Sequence, residues 1–138
     1  MPTIDNNLAT DFQSEAILIR SRSQPNDWFE ACADKLRNIA ALSDDWDSYG
    51  SSRPSSLSLN YAHAFLHFLR QSVSVLEPII TPTPNGNICF EWDDDVRQLI
   101  TEIDDGGVHH YYYCYGDGPE IEDETIDSSI IRNLIIKL

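Results

Sequence analysis

Basic residues are scarce in this chain. Nine Lys and Arg stand against 23 Asp and Glu in 138 residues, a formal net charge of −14. Such a field repels phosphate backbones and anionic membrane surfaces and attracts basic protein patches, so direct binding to nucleic acid or membrane is not expected. Cysteine is scarce too. Cys32, Cys89 and Cys114 are widely spaced and odd in number, which gives no disulfide framework. No apolar run approaches the ~18 residues that span a bilayer. The opening "MPTIDNNLATDF" is acidic where a secretory leader is basic. A cytoplasmic protein is the expectation. Glycine-rich loops followed by lysine, which cradle phosphates, are lacking, as is any repeat at a solenoid or propeller period.

What is present is ordinary globular material. Hydrophobic residues make up 41% and charged residues 23% of the chain, enough apolar content to fold as one domain of this length. Residues 1–25 hold one apolar patch, "AILIR", and read as an N-terminal arm or extra element; residues 26–138 read as a single α+β domain. "NDWFEACADKLRNIAAL" opens with a capping residue and an acidic first turn, then spaces Trp28, Cys32, Leu36, Ile39 and Ala40 as one helical face. After Pro54, a second amphipathic helix carries Leu57, Tyr61, Ala64, Phe65, Phe68 and Leu69.

The period then changes from 3.6 to 2. "PIITPT" and "NICFEW" flank Asn85-Gly86, a strong hairpin signal expected to form a type I′ turn. "DDDV" and "DDGG" separate "RQLITEI" from its neighbours, and "VHHYYYCY" follows. The expected fold is therefore two N-terminal helices packed on a four-stranded antiparallel meander. "DGPEIEDE", residues 117–124, reads as an acidic loop. "DSSIIRNLIIKL" reads as a closing helix capped by Asp127 or Ser128, with Ile130, Ile131, Leu134, Ile135 and Leu138 on one stripe.

The stretch "DDWDSYGSS", residues 44–52, invites a calcium reading. Asp45, Asp47 and Gly50 fit positions 1, 3 and 6 of an EF-hand loop, but Tyr49 and Ser56 occupy positions 5 and 12, so the bidentate carboxylate is missing. The segment reads instead as a joint: Trp46 and Tyr49 bury aromatic area against both helices, Gly50 takes a left-handed conformation, and the aspartates are solvated. "WDSYG", then "PTPNG" running into "FEW", then "LITEI" and "DGG", resembles an uncharacterised family of small acidic bacterial proteins with W-D-x-Y-G and P-T-x-x-G…E-W signatures, over about residues 36–115. The resemblance implies a bacterial origin and a helix–helix–sheet order. It carries over no catalytic residue, and the 117–124 loop and C-terminal segment fall outside its pattern.

Candidate chemistry is thin. His110 and Cys114 share a strand face that His109 does not, which leaves too few converging ligands for zinc. Neither Cys89 nor Cys114 lies beside a glycine-rich turn or helix start that would lower a thiol pKa. Glu91 and Glu102, on adjacent strands, invite comparison with a glycosidase pair, but cleft-building loops are lacking. No cofactor is expected.

The sheet carries the stronger feature. Ile88, Phe90 and Trp92 alternate against Cys89 and Glu91. In the last strand Val108, His110, Tyr112 and Cys114 alternate against His109, Tyr111, Tyr113 and Tyr115. If the former set packs on the helices, Tyr111, Tyr113 and Tyr115 form an outer face beside Glu91 and Glu102, rimmed by Asp117, Glu120, Glu122, Asp123 and Glu124. If the terminal helix covers that face, the tyrosines are core. The expected function is a non-catalytic acidic protein-binding module, antitoxin-like, immunity-like or an adaptor. It would cover a basic surface of a partner such as a toxin or nuclease. A DNA-mimic inhibitor of phage anti-defence type and a small hydrolase stay open as alternatives.

Overall fold

The computed structural model describes residues 28–72 and 75–136, so the N-terminal arm, the capping role of Asn26 and the place of Leu138 lie outside the described residues. Helix α1 runs Phe29–Ala40, and the residue at its N-cap position, Trp28, makes no side-chain capping bond. It buries Phe29, Cys32, Ala33, Leu36 and Ile39, with Ala33 in the stripe and Ala40 exposed at the helix end.

Helix α2, Ser56–Arg70, begins just beyond Pro54, and Ser55 caps it by accepting the Ser58 N–H at 3.3 Å. Its buried face is Ser58, Leu59, Ala62, Phe65, Leu66 and Leu69. The expected stripe is thus rotated: Leu57 is 54% exposed, and Tyr61 is exposed as well. The helix carries two apolar arcs, and burial selected the one containing Leu59, Ala62 and Leu66.

Five strands form one antiparallel meander in sequence order: β1 Ile79–Pro82, β2 Ile88–Asp93, β3 Arg97–Ile103, β4 His109–Tyr115 and β5 Ile121–Thr125. The expectation of four strands falls one short. Residues 121–125 pair with β4 in the register Tyr113↔Ile121 to His109↔Thr125, where the sequence suggested loop. Acidic residues are depleted in strands, and both faces of β5 are exposed apart from Thr125, so no alternation marks it.

The β1–β2 hairpin is present, but its turn is not type I′. Gly86 has φ +88 whereas Asn85 stays at negative φ, and Gly86 N–H donates to Thr83 O at 3.1 Å. Pro84, fixed at negative φ, takes the first central position of a type I turn, and Gly86 supplies the left-handed residue after it. The β3–β4 turn repeats the design: Gly107 N–H donates to Asp104 O at 3.1 Å with φ +79 at Gly107.

The final helix, α3 Ser128–Ile136, is capped by Asp127, whose Oδ1 accepts the Ser129 N–H at 2.9 Å. All three helices described cover one face of the sheet: α1 packs on α2 and β1, α2 on β2 and β3, and α3 on α2 and β3. Between the layers lies one core. Phe65 meets Phe90, Trp92 and His109 edge-on, with ring centroids 5.0, 6.5 and 4.6 Å apart. Each fully buried large apolar side chain there contributes about 1.5–3 kcal/mol.

Candidate functional site

The loop 43–55 is built from its own carboxylates. Asp44 Oδ1 accepts the Arg53 N–H at 2.8 Å, Asp45 Oδ1 the Gly50 N–H at 2.7 Å, and Asp47 Oδ1 the Tyr49 N–H at 2.9 Å. The Ser51 hydroxyl and the Tyr49 N–H hold the Asp47 carboxyl below its usual range. These aspartates cap backbone rather than merely solvate it, which corrects the expectation. Gly50 takes φ +82 as the joint reading requires. Tyr49 does not bury its ring; it is 91% exposed. Trp46 is half-buried and donates its indole N–H to Ser52 O at 2.9 Å, so it ties the loop to itself. Ser52 and Ser55 N–H groups donate to Pro84 O and Gly86 O, which clips the loop onto the β1–β2 turn. A Cβ at Gly86 would sit 3.1 Å from Arg53 O, so this clip depends on glycine.

The two sheet faces differ sharply. The register aligns Ile88, Ile103 and His109, then Phe90, Thr101 and Tyr111, then Trp92, Leu99 and Tyr113, and these positions turn toward the helices. Tyr113 is 8% exposed and Tyr111 packs against the core. The outer tyrosine face is therefore corrected: Tyr111 and Tyr113 lie on the covered side, while Glu91 and Glu102 lie on the other. Tyr115 is exposed at the strand end, where Arg97 stacks 5.5 Å from its ring. The burial of Ile103 drags His109, and with it every second residue of β4, inside.

The opposite face is uncovered among the described residues. Its strand positions are Ile79, Thr81, Cys89, Glu91, Asp93, Gln98, Ile100, Glu102, His110, Tyr112, Cys114, Glu122 and Glu124, with no Lys or Arg. Five carboxylates thus surround an apolar floor. A shallow groove of about 680 Å³ runs between Ile100, Glu102, His110, Tyr112, Glu122 and Glu124. Glu102 is held by Asn87 Nδ2 at 2.8 Å. His110 Nε2 lies 2.8 Å from Asp104 Oδ2 and Nδ1 lies 3.6 Å from Glu124 Oε2. The hydrogen bond to Asp104 raises the His110 pKa, aided by the nearby Glu124 and Glu102. Asp117 and Glu120 lie exposed in the β4–β5 turn, and Asp123 on β5 is exposed too.

Sequence reasoning missed a buried relay on the other side. His109, 2% exposed, has Nδ1 2.8 Å from Thr101 Oγ1 and Nε2 3.1 Å from Ser128 Oγ. It borders a pocket of about 370 Å³ formed by Tyr61, Phe65, Phe68, Gly107, Ile126 and Ser128. The order hydroxyl–imidazole–hydroxyl resembles a nucleophile with its base. However, burial lowers the His109 pKa to about 4 against a smaller opposing pull from Asp104, and both ring nitrogens face hydroxyls rather than a carboxylate. A general base works best near the ambient pH, so this imidazole is a poor one. It links β3 and β4 to the first residue of α3.

Two of the thiols are held protonated. Burial pushes Cys32 and Cys89 up to about 11, with Glu77 adding at Cys32 and Glu102 and Glu91 adding at Cys89. Among the described residues no three His, Cys, Asp or Glu side chains converge in a metal-holding arrangement. No helix among them is long and apolar enough to cross a membrane. Comparisons with family models, curated proteins and solved structures yield no match.

Proposed function

We propose that this chain is an acidic protein-binding module that covers a basic surface of a partner protein and carries out no reaction of its own. One observation carries the reading. The helix-free face of the sheet holds five carboxylates and no Lys or Arg around a floor of Ile100, Tyr112 and Cys89. An apolar centre with a charged rim is how interfaces divide grip from steering. The chain's net charge of −14 extends that field outward and favours encounter with a positive surface. A toxin or nuclease with a basic groove is the kind of partner it suits.

The test separates a surface from mere net charge, using a short peptide alternating lysine with valine as probe. Titration calorimetry compares two variants of equal charge change. One carries Glu91→Gln, Glu102→Gln, Glu122→Gln and Glu124→Gln; the other carries Glu30→Gln, Asp34→Asn, Glu77→Gln and Asp105→Asn. The first is expected to weaken binding about tenfold and the second less than about threefold. Equal losses would leave only nonspecific attraction and end the proposal.

A further inference from the structure

The two edges of the sheet are unlike. The Thr83 N–H donates to Asn87 O, and Ile79 and Thr81 pair with Glu91 and Cys89, so odd residues of β1 bond inward and even ones face outward. The even positions include Pro78, Pro82 and Pro84, which have no N–H to offer. Helix α1 also packs against β1. Ile80 is then the one outward N–H donor of β1, too few for a paired strand.

At the other edge the same alternation leaves donors in place. Gly116 N–H donates to Val96 O and Asp104 N–H to Val108 O, so the even residues of β4 bond to β3 and its odd residues to β5. Their partners are Ile121, Asp123 and Thr125. The backbone N–H and C=O groups of Glu122 and Glu124 consequently point away from the sheet. The Glu124 N–H donates instead to Asp123 Oδ1 at 2.8 Å, as expected of a group outside the ladder. No proline interrupts Ile121–Thr125, and among the described residues nothing pairs beyond it.

We infer that β5 is a strand-addition edge for a basic extended segment of the partner, a deduction that rests on the protein-binding reading above. Carboxylates on an edge strand keep neutral and acidic strands away. A second copy would set Glu122 and Glu124 against like charges, which is destabilising. A strand with Lys or Arg at alternate positions meets the opposite condition. Its cations lie beside Glu122 and Glu124 on the open face, and its backbone completes the ladder. The guard against aggregation thereby selects the partner.

Geometry makes the test sharp. A residue opposite Glu122 in a hydrogen-bonded pair turns its N–H toward β5 and its side chain to the open face. In the alternating peptide those residues are the lysines. N-methylation of the lysine backbone nitrogens is expected to weaken binding at least about tenfold, whereas methylation of the valine nitrogens keeps it within about twofold. The parent peptide is also expected to slow hydrogen exchange at the Glu122 and Glu124 amides. If both methylated peptides bind as tightly as the parent while the open-face carboxylate variant still binds weakly, edge pairing is overturned and the protein-binding reading stands. If the parent peptide fails to bind at low salt, or the two carboxylate variants behave alike, both fall.

Discussion

His109 on β4 holds the first residue of α3: its Nε2 lies 3.1 Å from Ser128 Oγ, and its Nδ1 reaches Thr101 on β3. One imidazole thus joins two strands to the terminal helix inside the core. Its protonation state is a condition of that joint.

A pH dependence follows with a definite sign. Burial lowers the His109 pKa from 6.5 to about 4, so the unfolded chain binds this proton more readily than the folded one. The stability involved is fully present above the unfolded value and is lost as pH falls toward the folded value, by roughly 3 kcal/mol in total. His110 runs the other way, because its raised pKa gives stability that is present below the ordinary value and lost as pH rises through the raised one. Burial lowers the His63 pKa in the same direction, so thermal melts of the double variant His63→Gln, His110→Gln across mildly acidic pH isolate the His109 contribution. Adding His109→Gln is expected to flatten the curve, and unchanged slopes would refute the assignment.

Gly107 and Gly50 offer a matched pair of substitutions. Both have positive φ, +79 and +82, but a Cβ at Gly107 would sit 2.7 Å from the Tyr61 ring while one at Gly50 meets nothing within 4 Å. Gly50→Ala is expected to cost about 1 kcal/mol from backbone strain alone, and Gly107→Ala about 2–3 kcal/mol. Combining Gly107→Ala with Tyr61→Ala removes the clash and leaves the strain, which a double-mutant cycle of denaturant midpoints resolves.

The tyrosines of β4 divide by burial. Tyr113→Ala is expected to cost about 3 kcal/mol of stability, the range for deleting a core aromatic. Tyr112→Ala, on the open face, is expected to change stability by less than about 1 kcal/mol. Its effect belongs in faster dissociation of the lysine–valine peptide, read by surface-plasmon kinetics. A destabilised Tyr112→Ala with unaltered dissociation would reverse the two roles.

The joint loop predicts an order rather than a size. Asp45 uses one oxygen, which Asn retains, whereas Asp47 uses Oδ1 for Tyr49 and Oδ2 for the Ser51 hydroxyl. Asp47→Asn is therefore expected to lower the melting temperature more than Asp45→Asn, and Tyr49→Ala to leave it unchanged. Trp46→Ala is expected to cost about 1–2 kcal/mol, mainly the lost indole bond. Calorimetry on the four variants checks the ranking.

Local signals in the sequence were reliable where the chain decides locally. Asn85-Gly86 marked the first hairpin and Asp127 marked the α3 cap, since a left-handed glycine and a capping carboxylate need only near neighbours. Choices between two apolar arcs were not legible. Leu57 is as apolar as Leu59 and Leu66, and only docking on the sheet selects between them. The face of Tyr113 depends on the register Ile103↔His109, which follows from the turn at Asp104–Val108. Edge strand β5 was hidden because a strand flanked by solvent has no burial to alternate. The relay through His109 joins residues 101, 109 and 128, a convergence that spacing does not reveal.

The unlike edges also set how this molecule behaves in a crowd of its own copies. A sheet grows into a fibre only if each end can accept the next subunit. Here one end offers a single outward donor, Ile80, between prolines and the other repels its twin, so concentrated solutions at neutral pH are expected to stay dispersed. That protection is only half permanent. Prolines are indifferent to acid, but the net charge that keeps copies apart vanishes at the sequence pI of about 4.3. Near that point the repulsion between copies is weakest, and precipitation is expected to begin there.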